Sequence, residues 1–206
     1  MTSGEDYDQF IGDDDGYVVD RPPDAWGQLP DARRAALAVQ LGQPLEEMYH
    51  SPIPFYLGGN AEVMVFPNYV EGMTYVTADL IGDIDQVQTA LGNYELMMCV
   101  RGDAPWAAGI VSELARYTTH VSLNHGDTMD YAGFSESQIK ALLFALPDIP
   151  SPRFEVLGKR CGLLLCIGIT LPELMIVREQ GADALVTRLR GANVFPYTDP
   201  ARNSVV

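Results

Sequence analysis

Cysteine, basic charge and long apolar runs are all scarce in this sequence, and each scarcity excludes something. Three cysteines at irregular spacing in 206 residues are not a disulfide framework, so a reducing compartment is expected. Thirteen Lys and Arg against 28 Asp and Glu leave a formal net charge of −15. Such a surface repels phosphate backbones, which argues against nucleic-acid binding, and it attracts a basic partner instead. No apolar stretch reaches the roughly 18–20 residues of a membrane helix. The opening MTSGEDYDQF lacks the basic and apolar regions of a secretory signal, so a soluble cytoplasmic protein is expected.

Recognised catalytic motifs are missing as well. There is no G-x-S-x-G, and neither Ser112 nor Ser122 has a nucleophile motif around it. LGGN at 57–60 has neither the lysine nor the helix signature of a phosphate loop. IGDDDGYVVDRP places Asp13, Asp15 and Gly16 where an EF-hand loop wants them. Ile11 and Pro22 then fall at the first and twelfth positions, where carboxylates are required, and the loop fails.

What is present begins with RCGLLLCIGIT at 160–170. Cys161 and Cys166 are five residues apart, so in a strand they point to opposite faces, with Cα atoms roughly 16 Å apart. A disulfide needs less than about 7 Å. A helix separates them around its axis, so the thiols read as small buried hydrophobes. Cys99, between Met98 and Val100, has an equally apolar setting that raises a thiol pKa. His120, His125, Asp127 and Asp130, joined by Asp79 or Glu95, could hold a metal. Their spacing matches no known chelate pair, and loop residues of these types also serve turns. Glu95 in a β run needs partners, and Arg101 on its own face is the candidate for a structural ion pair.

Along the chain, residues 1–28 read as an acidic flexible tail and 29–206 as one domain. A helix is expected over Asp31–Leu41, after Pro30 and before Gly42. Strands are expected at Glu62–Phe66, Met73–Ile81 and Asn93–Arg101. PWAAGIVSELARY is helical, with Trp106, Ile110, Leu114 and Tyr117 on one stripe and Asp103 as its cap. A short strand lies near Thr128–Tyr131, and Gln138–Leu146 fits helix or strand. Phe154–Leu157 and Cys161–Ile169 form a hairpin, and Thr170-Leu-Pro-Glu173 is a capping box opening a helix to about Gln180. A second helical stretch runs Ala182–Leu189. Without βαβ alternation, the class is α+β: a mixed, mostly antiparallel sheet flanked by a few helices.

Taken in order, MTYVTADLIG, GNYELMMCVR, PWAAGIVSELARY, HGDTMD, CGLLLCIGITLPEL, GADALVTRL and YTDPARNSV resemble the suppressor-of-fused domain family over roughly residues 45–206. The L-A-R-Y helix, T-x-x-E-L after an apolar strand and the terminal T-D-x-x-R are its most specific pieces. The resemblance implies a non-enzymatic protein-binding module without cofactor or metal, gripping another protein or an extended peptide. In animals such proteins are cytoplasmic regulators with two lobes clamping a peptide, and this chain resembles the first lobe only. Bacterial members are proposed to be immunity proteins that neutralise toxins, and an acidic chain suits a basic toxin. Tyr117 resembles the family's peptide-contacting tyrosine, and Asp127 the aspartate that receives a polar peptide side chain. Each also has a plain structural reading, core packing for Tyr117 and a turn cap for Asp127. The competing function is a metal-assisted hydrolase using His120, His125, Asp127 and Asp79.

Overall fold

A twelve-residue strand, Lys159–Thr170, runs through the middle of the sheet and is buried from Cys161 onward. This computed structural model describes residues 25–82, 86–134 and 136–206. Within them the helices are α1 (Ala25–Leu41), α2 (Trp106–Tyr117), α3 (Leu171–Gln180) and α4 (Ala182–Gly191). The strands are β1 (Val63–Phe66), β2 (Met73–Thr77), β3 (Asn93–Val100), β4 (Thr128–Asp130), β5 (Ile139–Ala145), β6 (Arg153–Val156) and β7 (Lys159–Thr170). They form one sheet in the order β1-β2-β3-β7-β5-β4, with β6 also on β7. Among these described strands, β3 and β7 pair in parallel and the other strand pairs are antiparallel. The α+β class expected from the sequence is the one observed.

Alternation along β7 divides the core. Leu163, Leu165, Ile167 and Ile169 join Leu37 and Leu41 of α1, Leu174 of α3, and Leu185 and Leu189 of α4. Leu164 and Cys166 face the other way, with Ile110, Val111 and Leu114 of α2. Cys161 sits in a third, small cluster with Ile81 and Val156. The thiols therefore belong to separate clusters, as strand periodicity requires. Gly168 on β7 leaves room for the C-terminal segment, since a Cβ there would stand 2.9 Å from Thr198 Cγ2. Thr198 fills the notch where β3 and β7 part: its N–H donates to Cys99 O, and its hydroxyl accepts from Gly168 N–H.

Several boundaries differ from the sequence reading, each for a local reason. Helix α1 starts at Ala25, six residues before Asp31, with Pro30 inside it. The proline forgoes a backbone bond, and packing of Leu29, Ala32 and Ala36 against Ile81 and Val156 holds the turn. The helix thus takes in the last four residues of the expected tail; residues 1–24, with the calcium-like loop, lie outside the described residues. Strand β2 ends at Thr77 instead of Ile81 because the N–H groups of Leu80 and Ile81 donate to the Glu95 carboxylate. Asp103 does not cap α2: it accepts the Tyr75 hydroxyl at 2.8 Å, and Pro105 holds the cap position. The ambiguous 138–146 segment is a strand, where burial on both faces outweighs the helix propensity of Ala and Leu. The β6–β7 turn is Leu157–Gly158, both at positive φ, which suits a tight hairpin.

The capping-box glutamate has a second role. Glu173, 0% exposed, accepts two Arg202 N–H groups at 2.6 Å and the backbone N–H groups of Thr170 and Val205. Arg202, 6% exposed, also donates to Gly168 O at 2.9 Å. Burial works to raise the Glu173 pKa, but Arg202 and the backbone donors outweigh it and hold the carboxyl below its ordinary value.

Arg202→Leu is expected to lower unfolding free energy by about 3–5 kcal/mol, because Glu173 stays buried without its cation. A folded value below the unfolded one gives stability that is complete above the usual glutamate pKa of 4.5 and lost as pH falls through the folded value. Urea titrations of both proteins over acidic pH should show their stabilities converging.

Candidate peptide-binding groove

The apolar stripe of α2 is only half used by the core. Ile110 and Leu114 are buried, while Trp106 and Tyr117 at its ends keep 37% and 43% of their surface exposed. At the helix C-terminus, Tyr117 O accepts the N–H groups of His120 and Val121. The chain then turns back under Leu123, which is buried and donates its N–H to the Tyr94 hydroxyl. Asp127 closes this loop: its Oδ2 accepts Asn124 N–H at 2.7 Å, and its carbonyl accepts Phe144 N–H from β5. Its Oδ1 accepts no hydrogen bond among the described residues. The turn thus uses one carboxylate oxygen and leaves the other to solvent.

Tyr117 and Asp127 line the same open groove of about 450 Å³. Val121 and Met129 supply apolar wall, and Val177 and Arg178 of α3 close the opposite side. The sequence reading missed Val177 and Arg178. Nothing near them in the chain marks them, because they reach the groove only through the docking of α3. Arg178 lines the groove from a different element than Asp127, so the groove offers both signs of charge beside an exposed phenol.

The suggested metal cluster is not assembled. His125 is engaged at both ring nitrogens, Nδ1 accepting Leu146 N–H at 3.3 Å and Nε2 meeting Asp183 Oδ1 at 3.0 Å. Asp79 accepts Glu62 N–H and lies 3.8 Å from Arg33, beside α1. Among the described residues, no three His, Cys, Asp or Glu side chains are grouped to hold an ion. The hydrolase reading of His120, His125, Asp127 and Asp79 is therefore withdrawn on geometry.

Glu95 has partners, though not the expected one. Its carboxylate accepts the Thr77 hydroxyl at 2.5 Å and the N–H groups of Leu80 and Ile81. Arg33 of α1, not Arg101, approaches it at 3.8 Å. Arg101 stacks 4.0 Å over the Tyr197 ring and donates to Asn193 O, held by the C-terminal region. Complete burial pushes Glu95 up to about 7, against the pull of Arg33, Thr77 and the Ile81 N–H. Burial likewise pushes the thiols up, Cys99 to about 12 and Cys161 to about 11.

The chain belongs to the suppressor-of-fused family: the family described as Suppressor of fused protein (SUFU) matches residues 62–203. Its fold is similar to "the Sufu-Fu complex crystal structure", with TM-score 0.65 and 15% identity over 90% of this chain and 93% of that one. A putative SUFU homologue from Neisseria gonorrhoeae FA 1090 gives TM-score 0.60 and 18% identity, over 87% of this chain and 98% of that one. Drosophila Suppressor of Fused gives TM-score 0.60 and 15% identity over 88% of this chain. The match spans half of the Drosophila chain's length. At these identities the likeness establishes the fold. No curated protein sequence matches.

Two measurements follow from the buried groups. Between pH 4.5 and about 7 the folded state keeps a proton on Glu95 that the unfolded chain has released, so Glu95 makes stability fall as pH rises. Glu95→Gln removes that slope, and its stability relative to wild type should rise by roughly 3 kcal/mol across the window in urea unfolding. A thiol reagent at pH 8 should leave Cys99, Cys161 and Cys166 unmodified in the folded chain and label all three in urea.

Proposed function

We propose that this chain is a non-enzymatic protein-binding module of suppressor-of-fused type. It takes a segment of another protein into the groove of Tyr117 and Asp127. One observation carries the reading: a helix end and a separate loop bring these two side chains to one groove, one with an exposed ring and the other with an unengaged oxygen. An exposed aromatic supplies area at low entropic cost, and a free carboxylate oxygen selects a donor on the bound segment.

In the finer reading the protein is a bacterial, cytoplasmic regulator or an immunity protein that neutralises a basic toxin. Its support is the net charge of −15 and the likeness of fold to the Neisseria homologue, which is matched over 98% of that chain. Acidic surfaces speed association with basic partners and make it salt-dependent.

Affinity capture with the full chain, followed by toxin-rescue assays with genes encoded nearby, tests both levels. Tyr117→Ala and Asp127→Asn should each lower affinity for the captured partner by roughly tenfold or more. Their thermal unfolding should stay close to wild type, since both side chains are exposed. Undiminished capture by both variants moves the interface elsewhere. Partner binding without rescue retains the module and discards the immunity role.

A further inference from the structure

A second groove runs along the first two turns of α2, from Trp106, about 16 Å from Tyr117 along the helix axis, to Glu113. It is lined by Trp106, Tyr131 and Phe134, with Glu113 on its wall and Gly109 within it. Its volume is about 480 Å³, within the range of ligand sites. We propose that this groove receives the cationic side chain, arginine or lysine, of a partner protein.

The rings set the chemistry. Phe134 lies 5.3 Å from Trp106 and 5.3 Å from Tyr131, at interplanar angles of 88° and 65°. Rings at such angles form a corner, so an occupant meets π faces as well as edges. Those faces carry negative potential that attracts ammonium and guanidinium groups. Glu113 shares a helix face with Trp106, seven residues on, and its carboxylate has no ion-pair partner among the described residues. The phenol of Tyr131 is pushed up, first by burial and then by Glu113. Among the described residues, no basic side chain lines the groove.

Two glycines shape it differently. At Gly133 an added Cβ would stand 2.3 Å from the Tyr131 hydroxyl, so that glycine gives the ring its seat. At Gly109 an added Cβ would meet nothing within 4 Å, so the space there is open. Charge decides the occupant. A purely apolar segment would cover the Glu113 carboxylate without pairing it, and an acidic one would be repelled. An arginine or lysine places its aliphatic stem on the rings and its charge against Glu113. The assignment stands independently of Tyr117 and Asp127.

The test is a nuclear magnetic resonance titration of the full chain, read at the Trp106 indole N–H. That signal is told from the other tryptophan by its loss in Trp106→Phe. The probes are the peptide Ac-Gly-Ala-Arg-Ala-Gly-NH2 and its counterpart with neutral, isosteric citrulline. The arginine peptide should give a saturable shift, with the citrulline peptide roughly threefold to tenfold weaker. Glu113→Gln should weaken the arginine peptide about threefold and reduce its salt dependence. Gly109→Leu should abolish saturation while circular dichroism is retained, because leucine favours a helix over glycine. Tyr117→Ala should leave the titration unchanged, which separates this result from that of the first groove. Equal binding of citrulline, persistence in Gly109→Leu, or silence of Trp106 towards both peptides would overturn the assignment. In the last case, sedimentation distinguishes a groove filled by a second copy from one filled within the chain.

Discussion

The bidentate contact between Glu173 and Arg202 is the constraint on which the remaining architecture depends. Four N–H groups converge on one fully buried carboxylate, which takes the place of its lost hydration. Those donors come from the start of α3 and from the C-terminal segment, while Arg202 also reaches the β7 carbonyl of Gly168. One side chain thereby fixes the angle at which α3 leaves the sheet. That angle determines where Val177 and Arg178 stand, and with them one wall of the groove. Groove shape thus depends on a charge pair that ties the first turn of α3 to the C-terminal segment, outside the groove itself.

Glu95 is the instructive contrast. It is as buried as Glu173, yet its pKa moves the opposite way. The difference lies in the cation. Arg202 donates twice at 2.6 Å, whereas Arg33 stays at 3.8 Å from the Glu95 carboxylate, beyond hydrogen-bond distance. Coulomb attraction at that separation does not repay desolvation, so the proton is retained to near neutrality. The same residue type thus supports a permanent clamp at one end of the sheet and a titrating contact with α1 at the other.

Much of this fold was legible because its strongest signals are local. The two-residue alternation of Asn93–Arg101 and Cys161–Ile169, the stripe on α2 and the Thr170–Glu173 box all exist within a few neighbouring residues. Two pieces chosen separately from the sequence, T-x-x-E-L and T-D-x-x-R, prove to be the halves of one contact, Glu173 with Arg202. Features that depend on distant partners stayed hidden. Ile139–Ala145 has helix-forming residues and becomes a strand only because β4 and β7 flank it. Arg33 as the counter-ion of Glu95 crosses from helix to sheet, and Arg178 enters the groove by docking. In the candidate site, Tyr117 and Asp127 were readable from family resemblance, while their shared groove and the free Asp127 oxygen were not.

The notch between β3 and β7, filled by Thr198, has a bearing on biosynthesis. A nascent chain that has only reached α4 holds the central strands but lacks the residues that bridge them. Its Glu173 also lacks the guanidinium that meets it in the folded chain. Ribosomes add roughly 5–20 residues per second, so this interval lasts on the order of a second. During it the apolar parallel pair is open along one flank, and that is when helper proteins that shield unfinished sheets would find their substrate.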